Sequence, residues 1–246
     1  MGLKLGTENN NYTNDIIAYY KLGYFQYIEL FVITGSFNDS IEYWKQFSIP
    51  IIIHAPHSSA GMNPSLREER INNKKKILET IKFADALNAE FIIFHPGIDG
   101  NIEETIEQLF PFADSRLLIE NKPLKGLNNE KCLGFLPEDL KFVINELKCG
   151  FCLDIGHAIC ASNSLKIESL DFVKEFFLLN PAVYHLADGD YSSEKDMHLH
   201  YGDGNFPIKS LLKMIPEFSR ITNEAKHNSY NNLDDFKKDY FYVKSI

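Results

Sequence analysis

Eight short apolar runs, separated by longer amphipathic stretches, recur along this chain of 246 residues. Short runs of apolar and β-branched residues are typical of buried strands, and the stretches between them carry apolar residues at helical spacing. The predicted strands are Leu3–Leu5, Tyr27–Phe31, Ile51–His54, Phe91–His95, Leu117–Glu120, Phe151–Asp154, Val183–His185 and Ile221–Glu224. The predicted helices are Asp15–Leu22, Ser40–Gln46, Ser65–Leu87, Ile102–Phe112, Pro137–Leu147, Glu168–Leu178, Ile208–Ile215 and Leu233–Tyr240. This alternation favours an α/β fold with a closed parallel (β/α)8 barrel over an open doubly wound sheet.

The composition limits the size of the fold and the partners it can bind. No linker rich in Pro, Gly or Ser divides the chain, so we expect one barrel domain over residues 1–246, with 44% hydrophobic residues to form its core. A net charge of −9 argues against binding of nucleic acid or anionic lipid by bulk charge. It does not exclude a phosphate at a metal cluster, because the metal supplies local positive charge.

The four cysteines are too few and too unevenly spaced for a secreted disulfide scaffold, so we expect reduced, packed thiols. Cys149 and Cys152 match C-x-x-C, but they enter an apolar strand and no second pair completes a zinc ribbon. The N-terminus has no apolar signal segment, and no stretch approaches the length of a membrane span. We therefore expect a cytoplasmic protein without a membrane partner, and the sequence leaves its oligomeric state open.

Histidines and carboxylates follow the predicted strands at or just past their ends. Nine of them form the candidate metal set: His57, His95, Glu120, Asp154, His157, His185, Asp196, His198 and Glu224. In a (β/α)8 barrel the carboxyl ends of all strands meet at one mouth, so these side chains should converge there. Imidazole and carboxylate donors without organised thiolates suit zinc, manganese, iron or cobalt. The sequence therefore predicts a metal centre at the barrel mouth.

Four other polar residues have more than one interpretation. His54, His200 and His227 are interpreted as hydrogen-bonded structural histidines, which is the commoner role of a single histidine near a strand end. Glu29, in the second predicted strand, could contact a substrate or form a salt bridge inside the barrel. Both interpretations of Glu29 stay open at the level of sequence.

A series of motifs in chain order resembles a known family. The motifs are Pro56-His57-Ser58, Phe94-His95-Pro96-Gly97, Ile119-Glu120-Asn121, Leu133-Gly134-Phe135, Cys152-Leu153-Asp154-Ile155-Gly156-His157, His185-Leu186, Asp196-Met197-His198, Gly202-Asp203-Gly204-Asn205 and Glu224. They resemble endonuclease IV, the AP endonuclease family 2, within the xylose-isomerase-like TIM-barrel superfamily. The resemblance runs from about the third strand to the C-terminus.

The resemblance implies up to three zinc ions, and each would have its own ligand set. The first ion would be held by His57, His95 and Glu120. The second would be held by Glu120 as a bridge, together with Asp154, His185 and Glu224. The third would be held by His157, Asp196 and His198. Such a centre suits phosphodiester hydrolysis, with Glu120 and Glu224 as the predicted catalytic residues and abasic DNA or a smaller phosphoester as the substrate.

Other segments differ from endonuclease IV and leave alternatives open. The first strand is followed by Thr7–Asn11 rather than a glycine-rich loop, and His57 is followed by Ser58–Gly61 rather than an aromatic residue. Tyr27–Phe31 instead resembles the sugar isomerases and epimerases of the same superfamily. The second hypothesis is therefore an isomerase or epimerase of a small sugar, with one Mn, Co or Mg ion and with Glu120 or Glu224 moving the proton. A third hypothesis is a binding module without activity, whose expected sign is missing metal ligands.

Overall fold

The computed structural model describes all 246 residues and contains a closed barrel of eight parallel strands. The strands are β1 (Gly2–Gly6), β2 (Tyr27–Phe31), β3 (Ile51–His54), β4 (Phe91–Phe94), β5 (Leu117–Glu120), β6 (Gly150–Asp154), β7 (Val183–Leu186) and β8 (Arg220–Asn223). They pair in chain order, and β1 closes the barrel by pairing with β8. The predicted (β/α)8 barrel is confirmed, with strand ends within one residue of the prediction in most cases.

Eight α-helices connect the strands, and a ninth follows β8. They are α1 (Thr13–Lys21), α2 (Phe37–Lys45), α3 (Arg70–Ala86), α4 (Ile102–Leu109), α5 (Pro137–Leu147), α6 (Ile155–Leu165), α7 (Ser169–Phe177), α8 (Ile208–Met214) and α9 (Asp234–Ser245). The predicted helix Ser65–Leu87 begins later than expected, because Arg67–Glu69 forms a separate 3-10 turn before α3. None of the helices is both long and apolar enough to cross a lipid bilayer.

Helix α6 is absent from the prediction, which has no helix between the sixth strand and residue 168. It begins directly after β6, and the Asp154 side chain caps it by accepting a hydrogen bond from the His157 N–H at 2.7 Å. Every residue from Ile155 to Ser162 is buried, so this helix lacks the polar face by which amphipathic helices are identified. The close succession of β6 and α6 places His157 in the first helical turn, beside the barrel mouth.

The barrel interior contains two layers of side chains. The lower layer is an apolar cluster of Tyr27, Ile52, Ile93, Leu118, Cys152 and Val183. Because successive strand residues point to opposite faces, the residue two positions further along each strand also points inward, one layer nearer the mouth. Those residues are Glu29, His54, His95, Glu120, Asp154 and His185. On β1 and at the end of β8, Lys4 and Glu224 complete this polar layer, two positions after Gly2 and Thr222.

A larger apolar cluster lies between the sheet and the helices. It includes the outward-facing Leu3 and Leu5 of β1 and Trp44 of α2, whose Nε1 donates a hydrogen bond to the Thr7 carbonyl at 2.8 Å. Burial of this layer supplies the main driving force for folding. The interior apolar layer, by contrast, supports the polar layer above it.

We expect Ile93→Ala to destabilise the fold by about 2–5 kcal/mol, because Ile93 is fully buried in the interior layer and its truncation leaves a cavity. Urea denaturation measures the change in the free energy of unfolding. Ile71→Ala is the matched control, since the Ile71 side chain is 77% exposed and should change stability by no more than about 0.5 kcal/mol. Equal effects of the two substitutions would contradict the two-layer description.

Candidate metal centre

The polar layer opens into a cavity of about 350 Å³ at the carboxyl ends of the strands. Of the nine residues in the predicted metal set, seven line this cavity, and Asp154 and His185 lie buried beside it. The prediction of convergence at the barrel mouth is therefore supported by the structure. Two residues that the sequence interpretation left outside the set, His54 and Lys4, line the same cavity.

The first cluster of metal-type donors contains His54, His95 and Glu120, whose ligand atoms lie within 4.8 Å of one another. The Nε2 atoms of His54 and His95 lie 3.0 Å and 3.1 Å from Glu120 Oε2. Glu120 ends β5 and is 1% exposed, so all three groups meet in a site with little access to solvent. The interpretation of His54 as a hydrogen-bonded structural histidine stays a prediction, and the structure adds that its ring lies beside Glu120.

His57, which the sequence interpretation placed in this cluster, is positioned differently. Its Nδ1 accepts a hydrogen bond from the Ser59 hydroxyl at 2.9 Å, and its ring stacks on His95 with centroids 5.4 Å apart. It belongs to none of the groups of three or more donors. The physical reason is strand periodicity: His54 occupies an inward position of β3, whereas His57 follows the strand end and lies on the cavity wall.

The second cluster contains His157, Asp196 and His198. Asp196 Oδ2 lies 2.9 Å from His198 Nε2 and 3.4 Å from His157 Nε2. Glu120 and Asp154 also approach His157, so the first and second clusters are joined through shared residues. His198 has a positive φ of 50°, and its ring lies against Asp196.

The third cluster contains Glu29, His54, His185 and Glu224. His185 Nε2 donates to Glu29 Oε2 at 2.9 Å, and its Nδ1 lies 2.9 Å from Glu224 Oε1. Glu29 also accepts from the Thr222 hydroxyl at 2.7 Å. The structure thus shows Glu29 in a buried interaction inside the barrel, which is one of its two sequence interpretations.

Three histidines have one ring nitrogen hydrogen-bonded to a fixed acceptor and the other facing a different carboxylate. His54 Nδ1 donates to the Ala55 carbonyl at 2.9 Å, His157 Nδ1 donates to the Asn121 carbonyl at 2.9 Å, and His185 Nε2 donates to Glu29. Such outer hydrogen bonds set the tautomer and leave a lone pair on the inner nitrogen, which is the usual arrangement of metal-binding histidines. The inner nitrogens of all three face carboxylate oxygens at the cavity.

Asn121 holds the β5 and β6 ends together. Its side chain donates to the Asp154 carbonyl at 2.8 Å and accepts from the Asp154 N–H at 2.7 Å, so one amide fixes the backbone on which a candidate ligand lies. The Asn121 backbone carbonyl is also the acceptor for His157. A single residue after Glu120 therefore positions both Asp154 and His157.

The pKa values of the cavity residues shift in different directions. Burial raises the pKa of Asp154 well above its ordinary value, and the neighbouring Glu224, Asp196 and Glu120 carboxylates raise it further. Burial opposes the charge of Glu120 too, but the surrounding histidines, first among them His95, hold its pKa well below the ordinary value. Burial lowers the pKa of His95 well below its ordinary value, which keeps this ring neutral and able to bind a metal.

His185 Nδ1 and Asp196 Oδ2 are buried at the cavity, and neither forms an aligned hydrogen bond with its close neighbours. A buried polar atom without a hydrogen bond costs free energy, and both atoms are of the kind that binds divalent ions. Together with the outward-fixed tautomers and the surplus of carboxylates, they show that the residues present fit a centre for divalent metal ions. Nitrogen and oxygen donors of this kind are compatible with zinc, manganese and cobalt.

Two further histidines and the four cysteines lie outside the donor clusters that are proposed to bind metal. His200 Nδ1 donates to Asp239 Oδ2 at 2.8 Å, in agreement with its interpretation as a structural residue. His227 donates from Nε2 to the Lys4 carbonyl at 3.0 Å and from Nδ1 to Asp235 at 3.2 Å, and is likewise structural. All four cysteines are free thiols, as expected.

Comparison with known proteins identifies the class of barrel. The family model described as "Xylose isomerase-like TIM barrel" matches residues 23–233, and the chain belongs to this family. Among curated proteins, the chain is 27% identical over 221 residues to "Probable endonuclease 4" of Aquifex aeolicus, covering 79% of this chain and 76% of that protein. It is 28% identical over 196 residues to the protein of the same name from Halothermothrix orenii, covering 70% of this chain and 68% of that protein.

Solved structures from two functional groups share the fold. Endonuclease IV from Thermus thermophilus superimposes with a TM-score of 0.71 at 20% identity, covering 99% of this chain and 97% of that chain. A D-tagatose 3-epimerase-like protein superimposes with a TM-score of 0.70 at 22% identity, covering 100% of this chain and 96% of that chain. At this level of identity, the structural likeness establishes the fold alone.

The stability of the fold should depend on pH through His227, because only the protonated ring can donate from both nitrogens. Burial disfavours this charge, but the Asp235 hydrogen bond raises the pKa of His227 above its ordinary value. A raised folded pKa means that the stabilisation is complete below about pH 6.5 and is lost as the pH rises through the folded pKa. Urea denaturation between about pH 6 and about pH 9 should show a smaller loss of stability for His227→Gln than for the unmodified protein. Equal losses would show that His227 is neutral in the folded state.

Proposed function

We propose that this protein is a metal-dependent phosphodiester hydrolase with a multinuclear, zinc-type centre. One observation carries this proposal: the donor clusters overlap, because Glu120 belongs to three of the five donor groups and His157 to two. Shared carboxylates are the means by which proteins hold two or more metal ions a few ångströms apart for phosphoryl chemistry. The similarity to proteins named "Probable endonuclease 4" supports the same activity class.

Two of the three proposed ligand sets correspond to clusters in the structure, and the other comes from the resemblance. The first set is His54, His95 and Glu120, with His54 in the place that the sequence interpretation gave to His57. The second set is Glu120, Asp154, His185 and Glu224, as the resemblance implies. The third set is His157, Asp196 and His198. Cys152 lies beside His185 but burial raises the pKa of its thiol, so we leave it outside the sets.

Bound divalent ions would lower the pKa of the attacking water toward neutrality and stabilise negative charge on the phosphate and the leaving oxygen. The chain's own residues hold and orient these ions, and two lysines can bind the substrate. Lys122, with its Nζ 3.4 Å from His157 Nε2, and the exposed Lys226 line the cavity. In a protein with a net charge of −9, lysines at the mouth favour an anionic substrate there.

The segment Lys122–Glu130 after β5 forms one wall of the cavity. It is fixed to the loop after β7 by an ion pair between Lys125 and Glu194 and by a hydrogen bond from Lys195 Nζ to the Leu127 carbonyl at 2.8 Å. We infer that this segment, held in place by these two contacts, limits the size of a substrate that can reach the candidate metal ligands. We propose a phosphoester substrate, either at an abasic site of DNA or in a molecule smaller than duplex DNA.

Metal analysis and substrate assays test the proposed function together. Protein purified without added metal or chelator should contain more than one zinc ion per chain by mass spectrometry, and it should cleave abasic-site DNA or a small phosphodiester such as bis-p-nitrophenyl phosphate. Glu120→Gln is the control, because it preserves shape but removes the shared carboxylate. A single manganese, cobalt or magnesium ion without phosphodiester cleavage would overturn the proposal.

His54→Ala should weaken zinc binding by about 10-fold or more, because His54 supplies a nitrogen beside Glu120. His57→Ala is the matched control at the same mouth and should leave zinc binding within about 2-fold, since its nitrogens contact no carboxylate of the centre. Competition with a zinc chelator measures both affinities. If His57→Ala weakened zinc binding more than His54→Ala, His57 and not His54 would be the ligand.

His198→Ala should lower turnover more than about 10-fold under the multinuclear proposal, because it removes a ligand from the cluster with Asp196 and His157. The measurement is kcat on the phosphodiester that the unmodified protein cleaves. A near-normal kcat would show that the cluster of His157, Asp196 and His198 has no catalytic role.

A second candidate function is isomerisation or epimerisation of a small sugar with one divalent ion. The observation that favours it is the compact group of Glu29, His54, His185 and Glu224, in which four donors surround one point inside the barrel. A carboxylate there could move a proton next to a sugar carbonyl. A panel of ketoses, assayed with added manganese, cobalt or magnesium, distinguishes this candidate from the hydrolase.

A further inference from the structure

Lys4 places a positive charge inside the candidate metal centre. It lies on β1 directly opposite Glu29 of β2 in the strand register, and its Nζ is 3.2 Å from Glu29 Oε1. The same ammonium group also forms an ion pair with Glu224. The Lys4 side chain is only 23% exposed and lines the cavity. No sequence consideration assigned this residue a role.

The two carboxylates that contact Lys4 differ in their other partners. Glu29 Oε2 accepts hydrogen bonds from His185 Nε2 and the Thr222 hydroxyl, whereas the buried Glu29 Oε1 forms no aligned hydrogen bond and has Lys4 as its nearby charge. Glu224 has Lys4, His185 and the more distant His198 as its neighbours, and Lys4 is the permanent cation among the three. A divalent ion that uses Glu224 must therefore displace the ammonium group or lie beside it.

We propose that Lys4 is a built-in cation that competes with metal for Glu224, so that the metal position formed by His185 and Glu224 is filled last and most weakly. This inference rests on the proposed metal centre. Like charges at contact distance in a poorly solvated cavity repel strongly, and a buried carboxylate shared with an ammonium group is a weaker metal ligand than a free one. The two clusters formed by His54, His95 and Glu120 and by His157, Asp196 and His198 do not contact Lys4.

Glu29 has the opposite effect on the same position. By accepting the His185 Nε2–H, it fixes the ring so that the unpartnered Nδ1 faces Glu224. A carboxylate behind a histidine raises the basicity of the other nitrogen and typically strengthens metal binding about 10- to 100-fold. Lys4 and Glu29, although paired with each other, should therefore change metal affinity in opposite directions.

Zinc binding to the metal-depleted protein tests the inference without any assay of turnover. Bound zinc per chain is measured by mass spectrometry at increasing buffered free zinc. The unmodified protein should fill its last position at a free zinc concentration at least about 10-fold above that of the other positions. Lys4→Met should reduce this gap between the two free zinc concentrations by about 10-fold. Glu29→Gln should increase the same gap.

Three further variants serve as controls. Lys4→Arg retains the charge and should keep the gap, which shows that the charge and not the loss of packing is responsible. Lys226→Met removes an exposed lysine of the same cavity that contacts none of the centre's carboxylates, and it should leave the zinc isotherm unchanged. In a Glu224→Gln background, Lys4→Met should have no further effect, because the contested ligand is absent.

The outcomes separate this inference from the proposed function. Equal filling of all positions in the unmodified protein, or identical isotherms for Lys4→Met and the unmodified protein, would overturn the inference while leaving the hydrolase intact. No zinc binding in any variant would overturn both. Thermal unfolding of each variant confirms that it is folded before its isotherm is compared.

Discussion

Five carboxylates share the barrel mouth in near-complete burial, and the rest of the site depends on how their charge is compensated. Glu29, Glu120, Asp154, Asp196 and Glu224 have side chains that are at most 7% exposed. Buried charge is tolerated only when it is paired or bound to metal. Within this layer Lys4 supplies one permanent cation, while burial and the neighbouring carboxylates raise the pKa of Asp154. The donor groups fit a metal centre, in which bound cations would compensate part of this buried charge.

The apolar layer beneath makes this concentration of charge possible. Six apolar or weakly polar side chains fill the barrel interior below the ligands and exclude water from that side. The donors therefore face the cavity at the carboxyl ends of the strands. Asn121 and the early start of α6 then fix Asp154 and His157 against this rigid base.

The donor groups allow two kinds of metal site in our proposal. The overlapping clusters around Glu120 and His157 suit a multinuclear hydrolase, whereas the compact group containing Glu29 and His185 suits a single ion. Lys4 lies where these two arrangements meet, because it contacts both Glu29 and Glu224. In our proposal, the contacts of Lys4 with Glu29 and Glu224 determine how many ions bind, and the number of ions determines the chemistry.

The sequence alone determined the barrel and most of the metal-type residues at its mouth, because both depend on local patterns: alternating strand and helix signals, and polar residues at strand ends. Counting two positions from each interior apolar residue would also have placed His54, Glu29 and Lys4 in the polar layer, but that layer is visible only once the register is known. Only the tertiary structure showed that His54 and not His57 faces Glu120, that α6 exists, and that Lys4 pairs with Glu224 from the opposite end of the chain. These features depend on which strands become neighbours and on burial from all sides, and contacts between residues more than two hundred positions apart leave no local pattern in the sequence.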